Sequence, residues 1–444
     1  MILLLMLACG EAPPLQCAID DGLPVFPGAE GFGTRTPAGR GGAVFEVTSL
    51  DDSGPGTLRE AMEAEGPRTV VFRTGGTISL KETLSVRDPF LTVAGQTAPG
   101  DGILIAGAGI GIQSHDILLQ HLRIRPGIDG NVAPAINDAI AIYGSDPKYP
   151  THHIVIDHVS VSWGEDELIS VWESHHVTLS WTLAAEALHE SRHPQGPHSA
   201  GILVGNRSSC TTQHHNLYAH NSFRNPRVGE GGRHDVVNNV AYDYQIAAEV
   251  NPVAYAMEVN FVGNQFIPGK SDIGWGELTY TGSHVAHAWM DPSQLLATSA
   301  IPMLYVEDNV GPSRTGGDWS IVTEEWLRPG DPARQSKRRF AAPPVTTVSS
   351  DEVVDVVLAD VGAHPRSEVD ERLVQQVRDG TGKLVNDAGP YPDLDPGTPL
   401  EDTDHDGMSD GWETANGLDP DDPADGARIR EDGYSELEAY LHTL

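Results

Sequence analysis

ILLQH (117–121), IVIDH (154–158), VTLSW (177–181), TTQHH (211–215), DVVNN (235–239) and NFVGN (260–264) share one shape, a short strand-like run closed by a polar or bulky residue. The closing residues His121, His158, Trp181, His215, Asn239 and Asn264 follow one another at intervals of 37, 23, 34, 24 and 25. These intervals correspond to one unit, or to one unit with a loop inserted. A unit of roughly two dozen residues made of short strands cannot bury its own faces, so successive units must stack. Stacking places Asn239 and Asn264 in an internal amide ladder, although Asn is also a common turn residue.

The same texture extends from about residue 23 to 270. Val70-Val71-Phe72, Leu91-Thr92-Val93, Ile103-Leu104-Ile105 and Asp138-Ala139-Ile140-Ala141-Ile142 are short β-branched or aliphatic runs cut by Gly, Asn, Asp and Pro. They predict many short strands. A β-sandwich would call for tight hairpins, and no Asn-Gly pair occurs within the repeat region. The expected architecture is therefore an all-β parallel β-helix. Helical spacing at Leu58–Met62, after the turn Ser53-Gly54-Pro55-Gly56, predicts a short cap helix.

Four segments are expected. Residues 1–22 form a signal-like segment and linker, and residues 23–383 the β-helix with a C-terminal extension. Residues 384–401 form a Pro/Asp linker, and residues 402–444 a small acidic module. Within the extension, 310–350 reads as irregular. Residues 351–378 read as helical, with Val354, Val357 and Leu358 on one face. The apolar run at residues 2–8 is too short to span a bilayer. It ends at Cys9 and resembles the tail of a bacterial lipoprotein signal, with Met6 where Leu is usual and no basic stretch before it. An ordinary signal peptide is the other reading. Export, to the medium or to a lipid anchor at the cell surface, is expected in both cases. With cysteines only at 9, 17 and 210, no disulfide framework is implied.

The 444 residues include 63 acidic and 28 basic ones, a formal charge of −35. Such a surface repels nucleic acid and anionic lipid, and repels acidic polysaccharide unless cations or a local basic patch intervene. One patch exists. Residues 165–233 contain His189, His193, His198, His214, His215 and His220 with Arg192, Arg207, Arg224, Arg227 and Arg233. The segment suits an anionic sugar. It lacks zinc-type spacing on a predicted helix. His214 and His215 would point to opposite faces of a strand, which favours structural roles for both.

The C-terminal module carries the sharpest spacing. Asp402, Asp404, Asp406, Gly407, Asp410 and Glu413 occupy positions 1, 3, 5, 6, 9 and 12 of an EF-hand-type calcium loop. Alternate carboxylates face a hard cation, Gly407 takes the sharp turn, Met408 offers its carbonyl and Glu413 closes the shell. A second half-motif, Asp432-Gly433-Tyr434, has Arg428 and Arg430 where ligands would stand, so it is expected to pack beside the first loop without metal. In the repeat region Asp138 opens one strand, and Asp166 and Glu167 follow Trp163-Gly164-Glu165. Acids on neighbouring coils could bind calcium or act as an acid/base pair for glycoside hydrolysis. Spacing leaves both open.

Five further stretches, FPGAEGFGTRTPAGRGG (26–42), VTSLDDSGPGTLREAM (47–62), TVAGQTAPGDGI (92–103), IDHVSVSWGEDE (156–167) and HHNLYAHNSFRNPR (214–227), resemble the pectate lyases of polysaccharide lyase family 1. Residues 360–382 resemble the C-terminal part of a bacterial branch in which the calcium loop is common. The resemblance implies a right-handed parallel β-helix and calcium-assisted β-elimination on pectate or a related uronan, in a secreted monomer. It implies Arg224 as the catalytic base, Arg227 and His198 as substrate contacts, and Asp138 and Asp166 as calcium ligands, with Glu167 able to supply a ligand the pattern lacks. Three positions depart from the family pattern: Ile136 and Ser170 stand where acids are usual, and Gln195 where a Lys precedes the Gly-containing loop. A β-helix hydrolase using Asp166 or Glu167 is one alternative. A catalytically weakened carbohydrate-binding surface protein is the other.

Overall fold

The computed structural model describes residues 17–19, 21–144, 146, 148, 150–205, 207–229, 231–251, 256–271, 286–288, 302–312, 314–323 and 335–444. The lipoprotein-like run and Cys9 lie outside them. The repeat region forms three parallel sheets of ten, nine and eight strands, each pairing successive turns of the chain. The three sheets are the sides of a right-handed parallel β-helix, the only common hand for parallel crossovers. Two faces of each strand run need cover, and the inner one is an aliphatic column. Ile117, Ile154 and Val177 stack along it, as do Leu119, Ile156 and Leu179, all essentially inaccessible. The expected cap helix is present at Leu58–Glu63, capped by Thr57, and it buries Leu58, Ala61 and Met62 against the first coils.

One left-handed residue ends each of the last seven strands of the ten-stranded sheet. His121, His158, Trp181, His215, Asn238, Gly263 and Asp308 all have φ between 50° and 63°. Asn, Asp and Gly tolerate this conformation readily. His is also found there more often than most side chains and Trp is not, and here the rings stack: centroids are 5.1 Å apart for His121–His158, 5.7 Å for His158–Trp181 and 4.5 Å for Trp181–His215. The sequence alignment was thus one residue out in its last two members. The partner of His215 is Asn238, because His214 pairs with Val237. The amide ladder sits one position further on and is longer than expected. Asn216, Asn239, Asn264 and Asn309 are linked side chain to side chain at 2.9, 2.9 and 2.7 Å. Each Oδ1 also accepts the backbone N–H of the preceding member, and each amide donates to a strand carbonyl. The ladder is fully satisfied, which a buried amide requires.

The outer faces of two sheets are covered by the chain ends. Val25, Ala29 and Ala38 pack on Leu118 and Val155 of the ten-stranded sheet. Gly33 makes that approach possible: a Cβ there would lie 2.1 Å from the His176 carbonyl oxygen, and its φ is +80°. A disulfide joins Cys17 to Cys210 and fastens this strap, a pairing that cysteine spacing did not suggest. On the eight-stranded sheet lie two helices, Val353–Asp360 and Glu368–Asp379, rather than one continuous helical stretch. Gly362 at φ +89° and Pro365 break it. Val353, Val357 and Leu358 face the sheet together with Leu373 and Val374. Asp370 is buried between Arg123 and Arg125, at 3.2 and 2.8 Å.

The C-terminal module has two short helices, Asp410–Asn416 and Glu436–Leu441. It docks on the first coils: Met408, Leu437 and Tyr440 pack with Ala94 and Val44, and Arg40 pairs with Glu438 at 2.8 Å. Residues between 384 and 401 follow the same flank, where Gly75 donates to the Pro396 carbonyl and Asp101 to that of Asp395.

Candidate active site

The third side of the prism, the nine-stranded sheet, gathers the candidate residues. Asp138 stands just before strand Ile140–Tyr143, Asp166 just before Glu167–Trp172, His198 just before Ala200–Gly205 and Arg224 just before Arg227–Gly229. These strands are consecutive neighbours. Residues far apart in sequence therefore meet because each opens the same strand of its own coil.

Asp138, Asp166 and Glu167 bring carboxylate oxygens within 4.8 Å of one another. Asp138 accepts the Glu167 backbone N–H at 3.0 Å and the Ser170 hydroxyl. Ser170 is thus a donor to the acidic group, in the place where the family pattern has a ligand. Burial pushes the Asp138 carboxyl up to about 8, and Asp166 adds to the rise, while Ser170 and Arg224 oppose it. Three acids held this closely need a cation.

Arg224 supplies one in this state through an ion pair of Nη1 with Glu167 Oε1. Its side chain is 14% exposed and lies over the Phe223 ring. Burial, then the charge of Arg227, lowers its guanidinium to about 10, against the pull of Glu249, Asp166 and Asp138. Arg227 opens the strand beside it and is paired in register with Glu249. Burial raises the Glu249 carboxyl and both arginines lower it. On the opposite flank His198 Nε2 lies 3.0 Å and His193 Nε2 3.5 Å from Asp166 Oδ1, with the two rings stacked at 3.9 Å. Arg192 clasps Glu165, and Asn137, the neighbour of Asp138, donates to the same carboxylate. Glu165 thereby ties the loop carrying both histidines to the coil carrying Asp138.

All six residues expected at this site, Asp138, Asp166, Glu167, His198, Arg224 and Arg227, lie along this one edge. Sequence reasoning singled out neither His193 nor Glu249. His193 was visible only as one of the histidines of the cationic segment, and Glu249 only through its strand register. Ile136, 62% exposed, stands beside the acids where the family pattern has a carboxylate. His214 and His215 lie elsewhere, buried, and do not take opposite faces as expected: His215 is left-handed at φ 55°, which breaks the alternation and brings their Nδ1 atoms to 3.0 Å.

The second group expected to hold metal is in the C-terminal module. Asp402, Asp404 and Asp406 converge, and so do Asp406, Glu413 and Asp425. Asp425 lies outside the twelve-residue loop, and only the tertiary fold reveals it. Asp410 is not brought into either group: its carboxylate accepts from the Thr403 backbone and hydroxyl at 2.7 Å. The Met408 side chain is buried in the docking core and its N–H donates to Asp406. Asp404 Oδ2, Asp406 Oδ2, both Glu413 oxygens and Asp425 Oδ1 are buried and have no hydrogen-bond donor. Burial and the neighbouring acids raise Glu413 to about 7, and burial above all raises Asp406 to about 6. Such a set of hard oxygens fits a divalent cation. Arg428 and Arg430, in the second half-motif, both pair with Glu436 at 2.9 Å.

Clustered acids beside a buried arginine on the side of a β-helix make a candidate centre for acid–base chemistry and cation binding. No family model matches the chain. Curated relatives do. It is 34% identical to "Probable pectate lyase C" of Aspergillus terreus over 444 residues, 96% of each chain, and 34% identical to its namesake in Emericella nidulans over 446 residues. "Probable pectate lyase 9" of Arabidopsis thaliana is 29% identical over 291 residues, 59% of each chain. Among solved structures, the cedar pollen allergen jun a 1 aligns with a TM-score of 0.50 at 18% identity, over 76% of this chain and 92% of that one. The thermostable pectate lyase PL 47 aligns at 0.51 and 14%, over 78% and 99%. They share the fold. The chain belongs to the pectate lyase family, and it is a polysaccharide lyase. Neither the hydrolase nor the binding-protein alternative is favoured. The relatives named here are fungal and plant. No helix among the described residues is long and apolar enough to cross a membrane.

Proposed function

We propose that the chain cleaves pectate or a closely related uronan by calcium-assisted β-elimination, with Arg224 as the base. The observation that supports this reading is a buried guanidinium, lowered by burial, set against the acids Asp138, Asp166 and Glu167. Those acids are the residues that would hold calcium, and calcium when bound would neutralise the substrate carboxylate and acidify the adjacent C5 proton. Arg227 and His198 flank the acids and would orient the sugar carboxylates by charge-assisted hydrogen bonds. The Arg224–Glu167 pair keeps the guanidinium protonated. That pair must open before Arg224 can accept the C5 proton, and C5 must then lie within hydrogen-bond reach. As the C5–H electrons form a C4–C5 double bond, the C4–O bond breaks; the departing sugar oxygen takes up a proton from water or from the protonated Arg224, and an unsaturated sugar end is left.

The disulfide between Cys17 and Cys210 favours an exported protein, since disulfides persist in oxidising compartments. The orphaned oxygens around Asp406 and Glu413 favour a structural calcium in the C-terminal module, and residues 360–382 favour the branch that carries it. A monomer suffices, because every proposed site residue comes from one chain. The test is an ultraviolet assay for unsaturated ends on polygalacturonate, with calcium and with chelator. Reducing ends without ultraviolet absorbance would indicate hydrolysis and sink the proposal.

A further inference from the structure

In the C-terminal module the backbone decides which carboxylate oxygens stay free. Asp404 Oδ1 accepts the Asp406 N–H at 3.2 Å, Asp406 Oδ1 the Met408 N–H at 2.9 Å and Asp425 Oδ2 the Asp419 N–H at 3.0 Å. The second oxygen of each, together with both oxygens of Glu413, is buried and has no donor. Glu413 itself is 0% exposed. Buried anionic oxygens in this number are too costly to leave unmatched. The other two acids of the loop differ. Asp402 has donors on both oxygens, from His405, Gly407 and Arg73. Asp410 is turned towards Thr403, whose N–H and hydroxyl take one oxygen each.

Asp425 meets this set from a different part of the chain, the turn between the module's two short helices. Ligand oxygens of Asp406, Glu413 and Asp425 lie within 4.8 Å of one another. Oxygens about 2.3–2.6 Å from one calcium ion stand at most about 5 Å apart, so the three carboxylates can share an ion. Two features hold the turn in place. At Gly426 a Cβ would stand 2.3 Å from Asp406 Oδ2, so only glycine lets this backbone rest on the acid. The Gly426 carbonyl accepts the Leu437 N–H at 3.0 Å, and Leu437 packs with Ala94 in the docking core.

We propose that Asp425 is a ligand of the module's calcium ion and takes the place that Asp410 fills in a self-contained twelve-residue loop. The ion then bridges two segments, the 402–413 loop and the 419–426 turn. Through the hydrogen bond from Leu437 to Gly426 it also ties the second helix, and with it the docking face, to the site. Asp410 instead closes the loop onto Thr403 and opens the helix Asp410–Asn416. Carboxylate oxygens alone suit calcium, whereas zinc and copper favour nitrogen or sulfur. Asp425 takes this role only if the module binds calcium at all, and the lyase chemistry does not enter.

The test is peptide-resolved hydrogen exchange on the full chain titrated with Ca2+, which reads the module separately from the acids of the nine-stranded sheet. Calcium should protect the loop and the turn with one common midpoint. Asp425→Asn keeps the side chain's size and an acceptor for the Asp419 N–H. It should raise that midpoint at least about ten-fold, the lower end of what even an outer-sphere change costs a metal site. Asp410→Asn should leave the midpoint nearly unchanged. An unmoved midpoint in Asp425→Asn, or a larger shift in Asp410→Asn, would overturn the role of Asp425 while leaving a calcium loop in place. No protection in the unsubstituted chain at about 5 mM Ca2+, above the range of weak extracellular modules, would overturn both. Should Asp425→Asn loosen the module even without the ion, carbodiimide coupling of glycine ethyl ester to the carboxylates of the unsubstituted chain replaces it. Calcium should slow labelling of Asp425 and not of Asp410, and equal labelling of Asp425 with and without the ion would also overturn its role.

Discussion

Replacing Arg224 with lysine separates the base from its charge. In this state the Arg224 guanidinium is lowered from 12.5 to about 10 by burial and by Arg227. At pH 8 about one molecule in a hundred then carries it neutral, against roughly one in thirty thousand for an unshifted arginine. Burial thus raises the supply of free base by a factor of about three hundred. A lysine has an ordinary value near 10.4, so proton availability alone would not handicap Arg224→Lys. Any loss must come from geometry. The ammonium keeps a positive charge beside Glu167 but loses the planar fork with its second nitrogen. A base outside about 2.6–3.2 Å of its proton contributes nothing, and general bases supply 10²–10⁴-fold. The expected fall in kcat is therefore of that size, about 2.7–5.5 kcal/mol of barrier, with KM changed only a few-fold. Initial rates of unsaturated-product formation on polygalacturonate with saturating calcium measure it. Because the neutral form is the reactive one, log kcat/KM of the unsubstituted enzyme, which reports the free protein, should climb with pH towards about pH 10. A near-normal kcat in Arg224→Lys would refute the reasoning and move the role to Arg227.

Three further outcomes are expected. Calcium should raise the melting temperature of the full chain, because the C-terminal module docks on the first coils, and Glu413→Gln should reduce that response to the part supplied by the acids of the nine-stranded sheet; an undiminished response in Glu413→Gln would place the structural ion elsewhere. Asp370→Asn leaves Arg123 and Arg125 buried without their counter-charge and should cost about 3–5 kcal/mol in urea unfolding, and a change below 1 kcal/mol would show that water or a neighbour replaces it. Burial lowers His158, but the charge and hydrogen bond of Asp157, 2.9 Å away, and then Asp360, raise it overall to about 10. A raised histidine stabilises the fold fully below its unfolded value near 6.5 and loses that contribution as pH climbs towards 10, so the stability gap between the unsubstituted protein and His158→Gln should be widest below pH 6.5 and close by pH 10. A gap that widens on the alkaline side would reverse the assignment.

The stacked coils were legible because their signal is local. Ile117, Ile154 and Val177 advertise buried strand positions whatever lies between them. The acids and arginine of the candidate site were legible one by one, through their motifs. That Glu167 meets both Asp138 and Arg224 was not, because it depends on register across two strand pairs and on which way a strand-opening residue turns. Asp425 was hidden for a related reason: the loop motif ends at Glu413, and only the fold of the chain between the module's two helices brings another carboxylate back. The Cys17–Cys210 bond likewise needs the strap to cross the ten-stranded sheet before the two sulfurs approach.

The one-residue slip at Asn239 points to the physical cause. A left-handed corner costs a non-glycine residue about 1–2 kcal/mol, so each coil needs a compensating contact there. At His121, His158, Trp181 and His215 the contact is ring stacking, worth about 0.5–1.5 kcal/mol a pair. At Asn238 it is a pair of hydrogen bonds from the side-chain amide to the Gly263 and Val348 carbonyls, and at Gly263 no compensation is needed. At the next corner Trp163 donates to Glu186, and His220 pairs with Asp243, again all with positive φ. Because compensation roughly cancels cost, almost any residue that finds a partner in the adjacent coil can hold the corner. A corner is therefore defined by its neighbour above and below and carries no fixed residue type.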